Sequence, residues 1–81
     1  MGKLYSSFII SENNNSKLLF GSYLNLDKIT IKSIKVMKKM MEKQNIKKSS
    51  ISVEEFEEVY SKESGIDYTE SKVVYNITIK L

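Results

Sequence analysis

Apolar positions recur along this chain at two different periods. From Leu4 to Ile10 they alternate, which predicts a strand with Leu4, Phe8 and Ile10 on one face and Tyr5, Ser7 and Ile9 on the other. Neither face is wholly polar. Lys17 to Leu26 predicts a second strand, with Leu18, Phe20, Leu24 and Leu26 opposite Leu19, Gly21 and Tyr23. Gly21 marks a bulge or a close backbone approach. The run Glu12 to Ser16 between the two strands is turn chemistry, because Asn tolerates left-handed backbone, so the pair reads as a hairpin. Lys72 to Leu81 alternates most cleanly of all, with Val73, Tyr75, Ile77, Ile79 and Leu81 inward and Val74, Asn76, Thr78 and Lys80 outward.

Between these strands the period changes to that of a helix. At about 100° per residue, Ile29, Ile34, Val36, Met37, Met40 and Met41 spread over one broad arc, while Lys28, Lys32, Lys35, Lys39 and Lys43 fall in a single stripe opposite. An apolar arc this wide is suited to burial on a sheet rather than to a narrow coiled-coil seam. Asp27 is the expected N-cap, Leu26 and Ile31 its hydrophobic staple, and Asn45 the left-handed terminator. After a linker over residues 46–50, Ser52-Val53-Glu54-Glu55 has the spacing of a capping box, with Ile51 and Phe56 as a second staple. This predicts a short second helix burying Phe56, Val59 and Tyr60 and closed by Gly65 and Ile66.

The expected architecture is α+β: a two-layer ββααβ domain, a three-stranded antiparallel sheet with two helices packed on one face. Eighty-one residues suffice for one small domain, and the pattern uses the chain from Lys3 to Leu81, so residues 1–81 are expected to form a single unit, complete in itself. A chain of this length buries only about 60% of its unfolded surface, and it has no cysteine to staple it. Dimerisation is the natural remedy.

Composition removes most catalytic chemistry. With neither Cys nor His, the chain lacks thiolate nucleophiles, imidazole bases, disulfides and the common metal-ligand clusters. No catalytic residue, cofactor or metal site is expected. Glu54, Glu55, Glu57 and Glu58 lack the Asp/Asn-and-Gly spacing of a calcium loop, and capping and solubility account for them. No apolar run is long enough to span a membrane and no secretory leader is evident, so the expected location is cytoplasmic.

The net charge of +3 is unevenly placed. Residues 27–49 carry eight lysines against Asp27 and Glu42, whereas residues 50–70 carry seven acids against Lys62, so the middle of the chain is an electrostatic dipole. All thirteen basic residues are lysine, which with the many Ile, Asn and Ser residues suggests AT-rich coding and makes the lysine count partly a codon effect.

Two functional readings follow. If the helices cover Leu4, Phe8, Phe20, Leu24, Tyr75 and Ile77, then Tyr5, Ile9, Leu19, Tyr23 and Val74 face outward as a partner-binding patch. The expected function is therefore a non-enzymatic protein-binding module, in the role of an inhibitor, adaptor or regulatory subunit such as a phage or mobile element encodes, acting through the exposed sheet face or a sheet edge. The alternative is a nucleic-acid-associated protein whose stripe Lys28, Lys32, Lys35, Lys39 and Lys43 contacts phosphates. Without arginine, such binding would discriminate little between sequences.

Overall fold

The architecture comes from a computed structural model, which describes residues 2–10, 15–63, 65–68 and 70–81, and only the backbone of Ser61 and Ile66. It contains five strands and one helix: β1 (Lys3–Ile10), β2 (Ser16–Tyr23), α1 (Leu26–Gln44), β3 (Lys48–Ser61), β4 (Gly65–Tyr68) and β5 (Lys72–Lys80). All pairings are antiparallel. β1 lies between β2 and β3, and the far edge of β3 is taken by β5 along its first half and by β4 along its end. The molecule measures 49 × 26 × 17 Å. Its long dimension is that of β3, whose fourteen residues at about 3.3 Å each span about 46 Å.

The expected second helix and three-stranded sheet are corrected by this arrangement. Residues 48–61 form one long strand, and Ser52 and Glu55 are ladder positions rather than a capping box. Ile51 and Val53 explain why. Both are β-branched, two apart and fully buried, so one strand face puts them side by side under α1. β1 pairs with residues 50–57 on one side and β5 with residues 48–55 on the other, which satisfies the backbone on both edges. Glutamates that favour a helix locally are overridden by that pairing. Gly65 does take a left-handed φ of 81°, but opposite Ser61 at the start of β4, not at the end of a helix.

α1 begins two residues earlier than expected. Asn25, not Asp27, is the N-cap, its side chain accepting the Lys28 amide at 3.0 Å, and Asp27 sits in the first turn where the helix dipole favours an acid. At the other end Asn45 is left-handed as its type suggests, with φ 58° and ψ 40°. The Ile46 amide donates to Met41 O at 2.8 Å and the Asn45 amide to Glu42 O, a Schellman closure.

The helix lies on the face carrying Tyr5, Ser7 and Ile9, not on that of Leu4 and Phe8. Ser7 pairs with Val53 and Ile9 with Ile51, and Val53 and Ile51 pair in turn with Tyr75 and Ile77 of β5. Ile29, Met37 and Met41 of α1 complete the core over Ile51, Val53 and Ile79. Each such side chain contributes about 1.5–3 kcal/mol when buried. Leu24, expected inside, is exposed in the β2–α1 connection.

β2 is an irregular edge. Between Tyr5↔Tyr23 and Ser7↔Phe20 it carries Gly21 and Ser22 against the single Ser6, and between Ser7 and Phe8 it carries the extra Leu19. Ser22 adopts a positive φ of 61° at the first of these bulges, which agrees with the reading of Gly21 as a bulge marker. The predicted Glu12–Asn14 part of the hairpin turn lies outside the described residues.

Candidate functional site

The five residues expected to form a partner-binding patch do share one face, but it is the face that α1 covers. Tyr5, Ile9, Leu19, Tyr23 and Val74 are each partly buried and packed against the core. Tyr23 is further tied down. Its hydroxyl accepts a hydrogen bond from Lys32 Nζ at 2.7 Å, and the same ammonium lies 5.3 Å from the Tyr23 ring centroid and 5.2 Å from that of Phe20.

That contact also orients the lysine stripe. Lys28, Lys32, Lys35, Lys39 and Lys43 are all exposed, and through Lys32 their flank of the helix leans towards β2. The acids lie elsewhere along the long axis, in the second half of β3 and in β4. Lys3 Nζ pairs with Glu55 Oε1 at 3.4 Å, and Ser71 Oγ donates to Glu54 Oε1 at 2.7 Å. The dipole read from sequence thus survives folding as a basic helix-bearing end and an acidic β3–β4 ribbon.

The uncovered face of the sheet carries a second set of apolar residues. Leu4 pairs with Phe56 and Phe8 with Leu18, while Tyr68 continues the same face from its place opposite Glu58. Leu18 is 56% exposed and Tyr68 50%. Leu4, Ser6, Ser22, Phe56 and Tyr68 surround an open depression of about 270 Å³. Across β3 and β5 the same face turns polar, through Ser50, Ser52, Asn76 and Thr78. This gives an apolar patch flanked by hydroxyls on one side, with Ser6 and Glu54 lying between Leu4–Phe56 and Phe8, and Glu58 next along β3. The alternation that puts Leu4 and Phe8 on one face of β1 was visible in the sequence; the strand positions of Phe56 and Tyr68, and which face stayed open, were not.

A second concavity lies on the helix side. Asp27, Thr30 and Ile31 of α1 face Tyr75 and Ile77 of β5 across an open cleft of about 360 Å³. Ile31, expected to staple onto Leu26, is 56% exposed and looks into this cleft.

Among the described residues no group of three or more Asp or Glu side chains is placed to hold a metal ion, and no helix is long and apolar enough to cross a membrane. Comparison with protein-family models, curated proteins and solved structures finds no match.

Proposed function

We propose that this chain is a non-enzymatic protein-binding module that docks a partner on the open face of its sheet. The observation behind this reading is the apolar patch of Leu4, Phe8, Leu18, Phe56 and Tyr68, on a face that α1 leaves uncovered. An antiparallel sheet with one solvated face normally alternates apolar inside with polar outside, so a second apolar face has to be explained by something that covers it. The partner suited to it presents an aliphatic or aromatic side chain to the depression and a lysine or arginine to Glu54 and Glu58. An anchor in a pocket with a charged rim is how such interfaces concentrate affinity.

The test is site-specific photocrosslinking in the native cell. A benzophenone amino acid is placed at Tyr68 on the open face and, separately, at Lys39 on the helix. The expected result is one discrete protein adduct from position 68, lost when Leu18→Glu is added, and none from position 39. Adducts from position 39 alone, or adducts to nucleic acid, would move the function to the lysine stripe.

A further inference from the structure

One helix cannot roof this sheet. Four strands at about 4.8 Å spacing are about 19 Å wide, whereas a helix with its side chains covers about 10 Å. α1 leans towards β2, where Lys32 meets Tyr23 and Phe20, and although Ile79 stays buried beneath it, the part of β5 around Tyr75 is left only partly covered. The result is the cleft in which Ile31, at 56% exposure, faces Tyr75, at 42%, and Ile77.

The outer edge of β5 borders this cleft and is unpaired among the described residues, since β5 pairs only with β3. The two edges of the sheet differ. β2 is interrupted by two bulges, the usual way of blunting an edge, whereas β5 has one irregularity, at Val74, and beyond it runs in unbroken register from Tyr75 opposite Val53 to Lys80 opposite Lys48. A regular edge presents backbone donors and acceptors at the spacing another strand requires. A strand added there would send every second side chain into the cleft under Ile31.

Charge selects among possible strands. β5 contains Lys72 and Lys80 and no acid, and these two with Lys38 of α1 outnumber Asp27, the acid that lines the cleft near the start of the helix. On α1, Lys38 follows Ile31 by seven residues, along the same side of the helix and towards the Lys80 end. A second copy of β5 laid antiparallel about Asn76 would set Lys72 against Lys80 twice, a like-charge pairing that disfavours it.

We infer that the β5 edge and the α1–β5 cleft form a strand-addition site for an extended segment with alternating apolar residues and acidic ends. This surface is separate from the open face, so the chain has two places to hold a partner.

The test is an NMR titration of the full chain with two synthetic seven-residue peptides, EVTVTVE and KVTVTVK. The acidic peptide is expected to perturb β5 amides and the Ile31 methyls, and to bind at least tenfold more tightly than the lysine-ended one. Ile31→Glu, at an exposed position, and the double variant Lys38→Glu, Lys80→Glu should each weaken binding at least tenfold, while Leu18→Glu on the open face leaves it unchanged. Equal affinity for the two peptides, perturbations confined to the open face, or no response at millimolar peptide would overturn the inference. So would sedimentation showing a dimer of the free chain that Ile31→Glu dissociates, because the site would then belong to a second copy.

Discussion

Ser7 and Val53 stand opposite each other in the β1–β3 ladder, both fully buried beneath α1. Val53 gains from that position; Ser7 does not, because its Oγ is buried with no hydrogen-bond partner among the described residues. An unsatisfied hydroxyl costs about 1–3 kcal/mol in such a place. Ser7→Ala should therefore raise stability by about 1 kcal/mol, seen as a higher urea midpoint at unchanged m-value. A lower midpoint would show that the hydroxyl is satisfied.

The two asparagines that bound α1 do different work, and their substitutions should separate accordingly. Asn25→Ala removes the acceptor of the Lys28 amide and should cost about 1 kcal/mol. At Asn45 the left-handed backbone is what matters, so Asn45→Gly should be nearly neutral while Asn45→Ala costs about 1 kcal/mol. In a domain of this size each kcal/mol is about 4–8 °C in Tm, which thermal unfolding followed by circular dichroism resolves easily.

The lysine stripe makes a prediction that can go against the proposed function. Fluorescence anisotropy with labelled duplex and single-stranded oligonucleotides should show no micromolar binding near physiological salt. Micromolar binding with a steep negative salt slope, abolished by Lys35→Glu with Lys39→Glu, would make phosphate contact the function. Those positions are chosen over Lys32, whose replacement also breaks the contact with Tyr23.

Lys3 gives a pH-dependent prediction. The hydrogen bond to Glu55, and then the charge of that carboxylate, raise its pKa above the ordinary 10.5. A group whose pKa is higher folded than unfolded stabilises the fold fully below the unfolded value and loses that contribution as pH rises through the folded one. The Lys3 side-chain resonances should therefore titrate above the ordinary 10.5. Glu55→Gln should bring them back and flatten the alkaline limb of the stability profile.

The strands 4–10 and 72–80, the helix and the charge dipole were legible in the sequence because each depends on local period or composition. Residues 51–61 were not. The S-x-x-E spacing and clustered glutamates state a helical preference, and only the distant partners Ser7, Ile9, Tyr75 and Ile77 show why Ile51 and Val53 lie on a strand. Which face of β1 goes inside was equally hidden, since Leu4, Phe8 and Ile10 are collectively more apolar than Tyr5, Ser7 and Ile9. The small Ser7 ends up under the helix and Phe8 outside, so apolarity alone does not rank the two faces. The proposed docking surfaces inherit that ambiguity: the sequence put Leu4 and Phe8 beneath helices and offered Tyr5, Ile9, Leu19, Tyr23 and Val74 as the outer face, and which set stays open depended on where α1 came to rest.

The placement of β3 has a mechanical consequence. β1 begins beside Glu57 and β5 ends beside Lys48, so the two ends of the described chain leave β3 nine residues apart and in opposite directions along the long axis. Tension applied between them drags β1 and β5 in opposite directions along a shared central strand. Both ladders then bear the load in shear, with many hydrogen bonds resisting together, whereas a pull across Lys47 and Leu81, neighbours at one end of the β3–β5 ladder, would unzip that ladder one bond at a time. The same domain is thus stiff when stretched end to end and yielding when peeled.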